Sequence, residues 1–143
     1  MGALPASQRL GFGLGVDVVG VDRVERLVAE HEHALDTLFT ERELAYCAGK
    51  RRRHEHLAAR FAAKEAVLKA LGTGLVRRMR WTDVEVVNDG SGRPRVRLSG
   101  EVAALAERRR LAGLEISLAH SAGLAVAEAL AVWDRGVPAC AST

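Results

Sequence analysis

Aromatic side chains are scarce. The 143-residue chain has three Phe, two Trp and one Tyr, or 4%. Its apolar content is nevertheless 48%, so a core exists and must be built mainly from Leu, Val and Ala. That is the composition of a folded domain, not of a disordered one. Cysteine is equally rare: Cys47 and Cys140 stand far apart with no metal-type spacing, which argues against a disulfide framework and for a reducing cytoplasm. No apolar run approaches the roughly 20 residues that span a bilayer. The segment Met1–Leu10 lacks the apolar centre of a signal peptide. A cytoplasmic protein without membrane partners is expected.

The formal charge is +3 and the isoelectric point about 9.3, a mildly basic balance that suits an acidic partner or a phosphorylated ligand. The densest basic run, Lys50–Arg53, is followed by His54 and His56. It reads as a solvated loop or helix start. A basic RNA-binding module is the rival reading; it predicts steeply salt-dependent binding and gains nothing from so few aromatics.

One domain over 11–135 is expected, with a flexible leader at 1–10 and a flexible tail at 136–143. Leu14–Val19 is short, apolar and β-branched, the pattern of a buried strand. Asp22 stands three residues before Glu25, an N-terminal capping signal for a helix to about His33, and Thr40 with Glu43 repeats it for a helix toward Ala48. A long Ala-rich helix is predicted from His54 to Leu71, stopped by Gly72-Thr73-Gly74. Val84 and Val86 alternate with polar residues before Asn88–Gly92, and Val96 and Leu98 after it, which predicts a β-hairpin. Ser99 is placed to cap a helix over Gly100–Arg110, and Leu114–Leu118 and Leu124–Val132 read as strands on either side of His120–Gly123. The fold class is therefore α+β, with a mostly antiparallel sheet packed on a long helix.

Chemistry shows where patterns break. Asp17 interrupts an apolar strand, and it either reaches water or meets a cation or several donors, because a buried unpaired charge is costly. On the long helix Leu57, Phe61, Leu68 and Leu71 make an apolar stripe that includes Lys64. Glu65 lies at its edge with Lys69 one turn on, as an ordinary surface pair or as part of a site. Lys64 either snorkels outward or marks function. Gly72-Thr73-Gly74, with Arg77, Arg78 and Arg80 beyond, is a strong helix stop and a weak phosphate signal. A lone His120 in a turn is commonly just exposed.

Gly15-Val16-Asp17, the run from Arg60 through Lys64, Glu65 and Lys69 to Gly74, then Trp81–Val86, Gly92-Arg93-Pro94 and Ser117–His120 together closely resemble the holo-acyl-carrier-protein synthase family of phosphopantetheinyl transferases. The likeness covers residues 12 to 133. It implies the 4′-phosphopantetheinyl transferase fold, assembled as a homotrimer with active sites between subunits. It implies a transferase that moves 4′-phosphopantetheine from coenzyme A to a serine of an apo acyl carrier protein, of fatty-acid or polyketide synthesis, releasing 3′,5′-ADP.

The same resemblance implies Asp17 and Glu65 as Mg²⁺ ligands, with Lys64 and Lys69 beside the ligand's phosphates. Arg60 and His120 would meet the nucleotide end, from across an interface, and His120 would also assist catalysis. Gly72, Thr73 and Gly74 would line the path of pantetheine and pyrophosphate. Glu65 or a water on the metal would take the serine proton, and Arg23 and Arg26 would dock the acidic carrier. Two positions depart from the family's pattern. Ser121 follows His120 where an acidic residue is frequent, and the first helix adds Glu25, Glu30 and Glu32 among its arginines.

Overall fold

The computed structural model describes residues 9–136; the leader and tail fall almost wholly outside them, and Leu10 already belongs to a strand. Three long strands form one antiparallel sheet in the order β1-β5-β4: β1 (Leu10–Gly20), β5 (Leu124–Asp134) and β4 (Leu111–Ser121). A second, two-stranded antiparallel sheet joins β2 (Val84–Asn88) to β3 (Pro94–Leu98), with Val84 opposite Leu98 and Val86 opposite Val96, as the alternation predicts. Among the described residues five α-helices and one 3-10 turn (Trp81–Asp83) complete the fold: α1 (Val21–Glu30), α2 (Ala34–Leu38), α3 (Glu41–Ala48), α4 (Arg53–Ala70) and α5 (Gly100–Arg108). The arrangement is α+β with wholly antiparallel pairing. No helix among the described residues is long and apolar enough to cross a membrane.

The central packing is α4 on the inner face of β1 and β5. It is a contact of small residues. Ala125, Ala127, Ala129 and Ala131 of β5 are at most 2% exposed, and Ala62, Ala63 and Ala66 of α4 are fully buried. On β1 the inward positions are Gly13 and Gly15, where an added Cβ would lie 2.0 Å from the Ala70 carbonyl oxygen and 1.9 Å from that of Ala66. Helix backbone and strand backbone therefore touch directly, which only glycine permits.

Several sequence expectations change here. α4 is not a helix with one apolar stripe; 11 of its residues are buried, because sheet, α1, α3 and β2 surround it. β1 is buried on its inner face alone. Its outward residues Phe12, Leu14, Val16 and Val18 are 52–78% exposed, so an apolar strand here is covered on one side within the chain. α1 begins at Val21 and Asp22 forms no capping box; Gly20 occupies the cap without a side-chain bond. The helix stops at Glu30, and α2 follows as an element that propensity did not signal. Thr40 and Glu43 do form the reciprocal capping box of α3. Ser99 sits at the N-cap of α5 with no side-chain bond to it.

At its C-terminus α4 closes as the sequence predicts. Gly72 has φ +74°, its N–H donates to the Lys69 carbonyl and Thr73 N–H donates to that of Leu68, the paired bonds of a Schellman motif.

Lys64 is the main correction. It was expected beside ligand phosphates or snorkelling to water, and the structure does neither. Its side chain and that of Glu43 are both fully buried, with Nζ 2.7 Å from Glu43 Oε1. Nζ also donates to the carbonyls of Trp81 and Val84, which uses all three of its protons. Glu43 accepts further from the backbone N–H of Thr40 at 3.0 Å and of Val86 at 3.1 Å. The pair stitches α3 and β2 to the middle of α4. Burial works against the ammonium and lowers its proton affinity, while Glu43 restores part of it.

Removing one partner of such a pair strands the other charge, which costs about 3–5 kcal/mol. Lys64→Met is expected to lower the unfolding free energy by that much in urea denaturation. A loss under about 1 kcal/mol, the scale of an exposed pair, would contradict this account of the core.

Candidate functional site

The register of β1 on α4 decides which charges meet. Gly15 touches the helix at Ala66 and Gly13 at Ala70, so Asp17, two residues further on the same face, arrives beside the turn holding Glu65 and Lys69. Asp17 is largely covered and Lys69 half exposed, with Nζ 3.0 Å from Asp17 Oδ1. Lys69 Nζ also donates to the Val16 carbonyl at 2.9 Å. Glu65 comes close enough to Asp17 to share a proton with it. Its own burial first, then the bond to Asp17 and that residue's charge, push the Glu65 carboxyl above the usual carboxylate range, against Lys69 and Arg23. Asp17, Glu65 and Lys69 are thus brought together, with Arg23 of α1 near enough to be felt.

Two carboxylates competing for one proton make a place where a cation would relieve the repulsion. Among the described residues no group of three or more His, Cys, Asp or Glu is placed to hold a metal. The chain therefore offers two hard oxygen ligands. That donor set fits Mg²⁺, which is commonly held by one or two carboxylates plus substrate phosphates and water.

Beside Lys69 and the Gly72 turn lies a cavity of about 430 Å³ whose walls include Lys69, Gly72, Arg109, Trp133 and Arg135 and no carboxylate. Arg109 Nη1 donates to the Leu71 carbonyl at 2.7 Å, which braces the helix end. Arg109 and Arg135 carried no local sequence signal; they reach this wall only because α5 and β5 end there. Thr73 and Gly74 continue the turn, and Thr73 Oγ1 donates to the Gly74 carbonyl.

His120 does not join Asp17. It is on β4 opposite Ala125, which faces Val19, whereas Asp17 faces Ala127. Two strand spacings across and two residues along put the Cα atoms roughly 12 Å apart. His120 also belongs to the strand and not to the turn, which is Ala122-Gly123, both at positive φ. The strand extends because Ser121 still pairs with Leu124. Around His120 a second cluster assembles. Its Nδ1 lies 3.6 Å from Glu55 Oε2, and its ring meets that of His56 edge-on at 6.4 Å. Arg60 is 3% exposed; its guanidinium lies 4.1 Å from the Tyr46 ring centroid and donates to Asn88. Arg60, expected at the ligand itself, is buried within this cluster.

The α1 arginines edge a groove. Arg23 and Arg26 border a cavity of about 570 Å³ whose apolar walls include Val19, Val24, Leu27, Phe39 and Phe61. Arg26 is also 3.7 Å from Asp22.

The family model of the 4′-phosphopantetheinyl transferase superfamily matches residues 13–127. The chain is 50% identical over 117 residues to a holo-[acyl-carrier-protein] synthase of Geobacter sulfurreducens, covering 81% of this chain and 93% of that protein. Its fold is similar to the holo-[acyl-carrier-protein] synthase of Neisseria meningitidis, with TM-score 0.77 at 26% identity over 83% of this chain and 96% of that one. It is also similar to a Bacillus anthracis holo-(acyl-carrier-protein) synthase in complex with CoA (3′,5′-ADP), with TM-score 0.69 at 31% identity over 84% and 95% of the two chains.

An ionised Glu65 is unfavourable in the folded, metal-free protein, because its folded proton affinity is raised. That cost is absent at low pH and appears as pH rises through the raised value. Glu65→Gln is therefore expected to raise the melting temperature in chelator-treated buffer at pH 7–8, with the two proteins converging toward pH 4. A gap that widens on acidification would show that Glu65 is not strained by Asp17.

Proposed function

The chain belongs to the 4′-phosphopantetheinyl transferase superfamily, and from that membership we propose that it is a holo-acyl-carrier-protein synthase. It transfers 4′-phosphopantetheine from coenzyme A to a serine of an apo acyl carrier protein. The observation that carries this reading is the meeting of Asp17, Glu65 and Lys69 on the α4–β1 contact, in a chain half identical to such a synthase.

The serine Oγ attacks the β-phosphorus of coenzyme A. The new Oγ–P bond replaces the bridging P–O bond of the pyrophosphate, and 3′,5′-ADP leaves. Such a transfer depends mainly on alignment and charge neutralisation. Asp17 and Glu65 would hold Mg²⁺, which when bound would supply positive charge to the pyrophosphate. Lys69, half exposed, has the freedom to turn from Asp17 to a phosphate oxygen. Glu65, whose carboxylate stands at the same centre, would take the serine proton. Gly72, Thr73 and Gly74, next to a wall of cations without carboxylates, suit the passage of pyrophosphate and pantetheine. Arg23 and Arg26 beside an apolar groove suit an acidic carrier helix with an apolar face.

A homotrimer is part of this proposal. The outward face of β1 leaves Leu10, Phe12, Leu14, Val16 and Val18 exposed in one row, and Leu130 and Val132 of β5 pair beside it. Rows of this kind mark interfaces. A neighbouring copy packed there would answer the roughly 12 Å gap between Asp17 and His120, by bringing its own His120 toward the carboxylates. A cytoplasmic location, where coenzyme A and carrier proteins are found, completes the reading.

Incubation with an apo carrier, coenzyme A and Mg²⁺ is expected to add the phosphopantetheine mass to the carrier. Asp17→Ala and Glu65→Ala should each lower the rate by orders of magnitude, and Arg23→Glu should raise KM for the carrier with less effect on kcat. No mass increment on any of several carriers would refute the function. Leu14→Glu should shift the protein from trimer to monomer in light scattering and abolish transfer; an active monomer would refute the shared site.

A further inference from the structure

His56 was read from the sequence only as the end of a basic run. In the fold it stands one turn before Arg60 on α4, half buried, in the cluster around His120. Its ring meets Tyr46 edge-on at 5.9 Å and His120 at 6.4 Å. Tyr46 carries Arg60 against its ring and Lys50 Nζ at 4.6 Å. Four cationic or protonatable groups, Lys50, His56, Arg60 and His120, thus face one another, and Glu55 is the sole acid beside them that influences His56. Arg60 Nε is buried with no hydrogen-bond partner among the described residues. Glu55 Oε2 is likewise buried without such a partner, yet the cations outnumber this one acid, and such a surplus of positive charge suits a dianion.

Arg60 is nearly inaccessible and Lys50 is exposed, so the groups that can touch a ligand here are Lys50 and the two histidines. A phosphate accepting a bond of about 2.8 Å from each ring can span their 6.4 Å separation. We propose that His56 is a specificity-determining residue for coenzyme A, sharing its 3′-phosphate with His120 and taking up a proton when that phosphate binds. The proposal rests on the reading of His120 as a contact to the nucleotide end.

The protons follow from the neighbours. Burial, then Arg60, Lys50 and His120, hold the His56 imidazole below its ordinary range, against Glu55, so the free protein keeps it neutral at pH 7–8. A phosphate monoester, nearly a dianion at pH 7, raises the proton affinity of His56 when it binds there. Binding therefore draws protons from solvent, and KM for coenzyme A should rise as pH climbs from 6.5 to 8.

The test compares coenzyme A with 3′-dephospho-coenzyme A on the intact protein. A charged hydrogen bond lost from the complex costs about tenfold to a hundredfold in affinity. His56→Phe, which keeps the edge contact to Tyr46, is expected to raise KM for coenzyme A by that factor, with the loss in KM rather than kcat. It should leave the KM of the dephospho substrate in place and flatten the pH dependence. His56→Gln, which retains a donor, should recover part of the affinity and none of the proton uptake, read by calorimetry in two buffers of different ionisation enthalpy. If His120→Ala narrows the preference for coenzyme A and neither His56 variant does, His56 is no part of the site. If none of the three narrows it, the nucleotide end binds elsewhere and the placement of His120 falls with the inference.

Discussion

The backbone of α4 rests on the backbone of β1 through Gly13 and Gly15, and most of the molecule is arranged by that contact. A methyl group at either position would enter a helix carbonyl. The close approach brings the short polar arms of Asp17 and Glu65 within reach of each other, which longer spacers between helix and sheet would prevent. Alanines on the facing positions of α4 and β5 keep the separation uniform along the helix. The same contact leaves β1 with its large residues on the opposite side. Small residues inward and large residues outward is the reverse of an ordinary surface strand, and it suits a strand whose second covering comes from another copy of the chain.

Much of this was readable in advance, and particular residues show why. Thr40 with Glu43, Gly72 after a long Ala run, and Asn88–Gly92 between alternating valines are local signals whose physics is complete within a few residues. Asp17 and Lys64 stood out because each broke a local pattern, whereas Glu65 at the edge of the stripe was joined to Asp17 by the resemblance to a transferase family. Burial could not be read the same way. The exposed face of β1 and the near-complete enclosure of α4 depend on which elements surround them. His56 carried no signal at all, since its meaning arises from Tyr46, Arg60 and His120 drawn from three elements.

In the proposed reading the two polar clusters divide the work of a long ligand. One, at Asp17, Glu65 and Lys69, is acidic with a single movable cation and suits a bond-forming centre. The other, at His56, Arg60 and His120, is built on a buried arginine with two partly exposed imidazoles, suited to holding a charged end. In the proposed assembly the second cluster comes from a neighbouring copy, so the seating of one copy on the next would set the span that the ligand must bridge.

The Lys64–Glu43 pair gives the helix an orientation as well as an anchor. A helix seated through alanines and glycines is a smooth cylinder, and little in such a surface resists rolling about its axis. Lys64, whose ammonium is fixed by one carboxylate and two carbonyls on neighbouring elements, acts as a key in a slot. Glu65 is the next residue, a fixed 100° around the barrel. With side chains at a radius of about 5–6 Å, a 20° roll would swing that carboxylate by roughly 2 Å, when a 1 Å error can already cost about a hundredfold in rate. The charge hidden deepest in the core thus sets the angular position of the one at the surface.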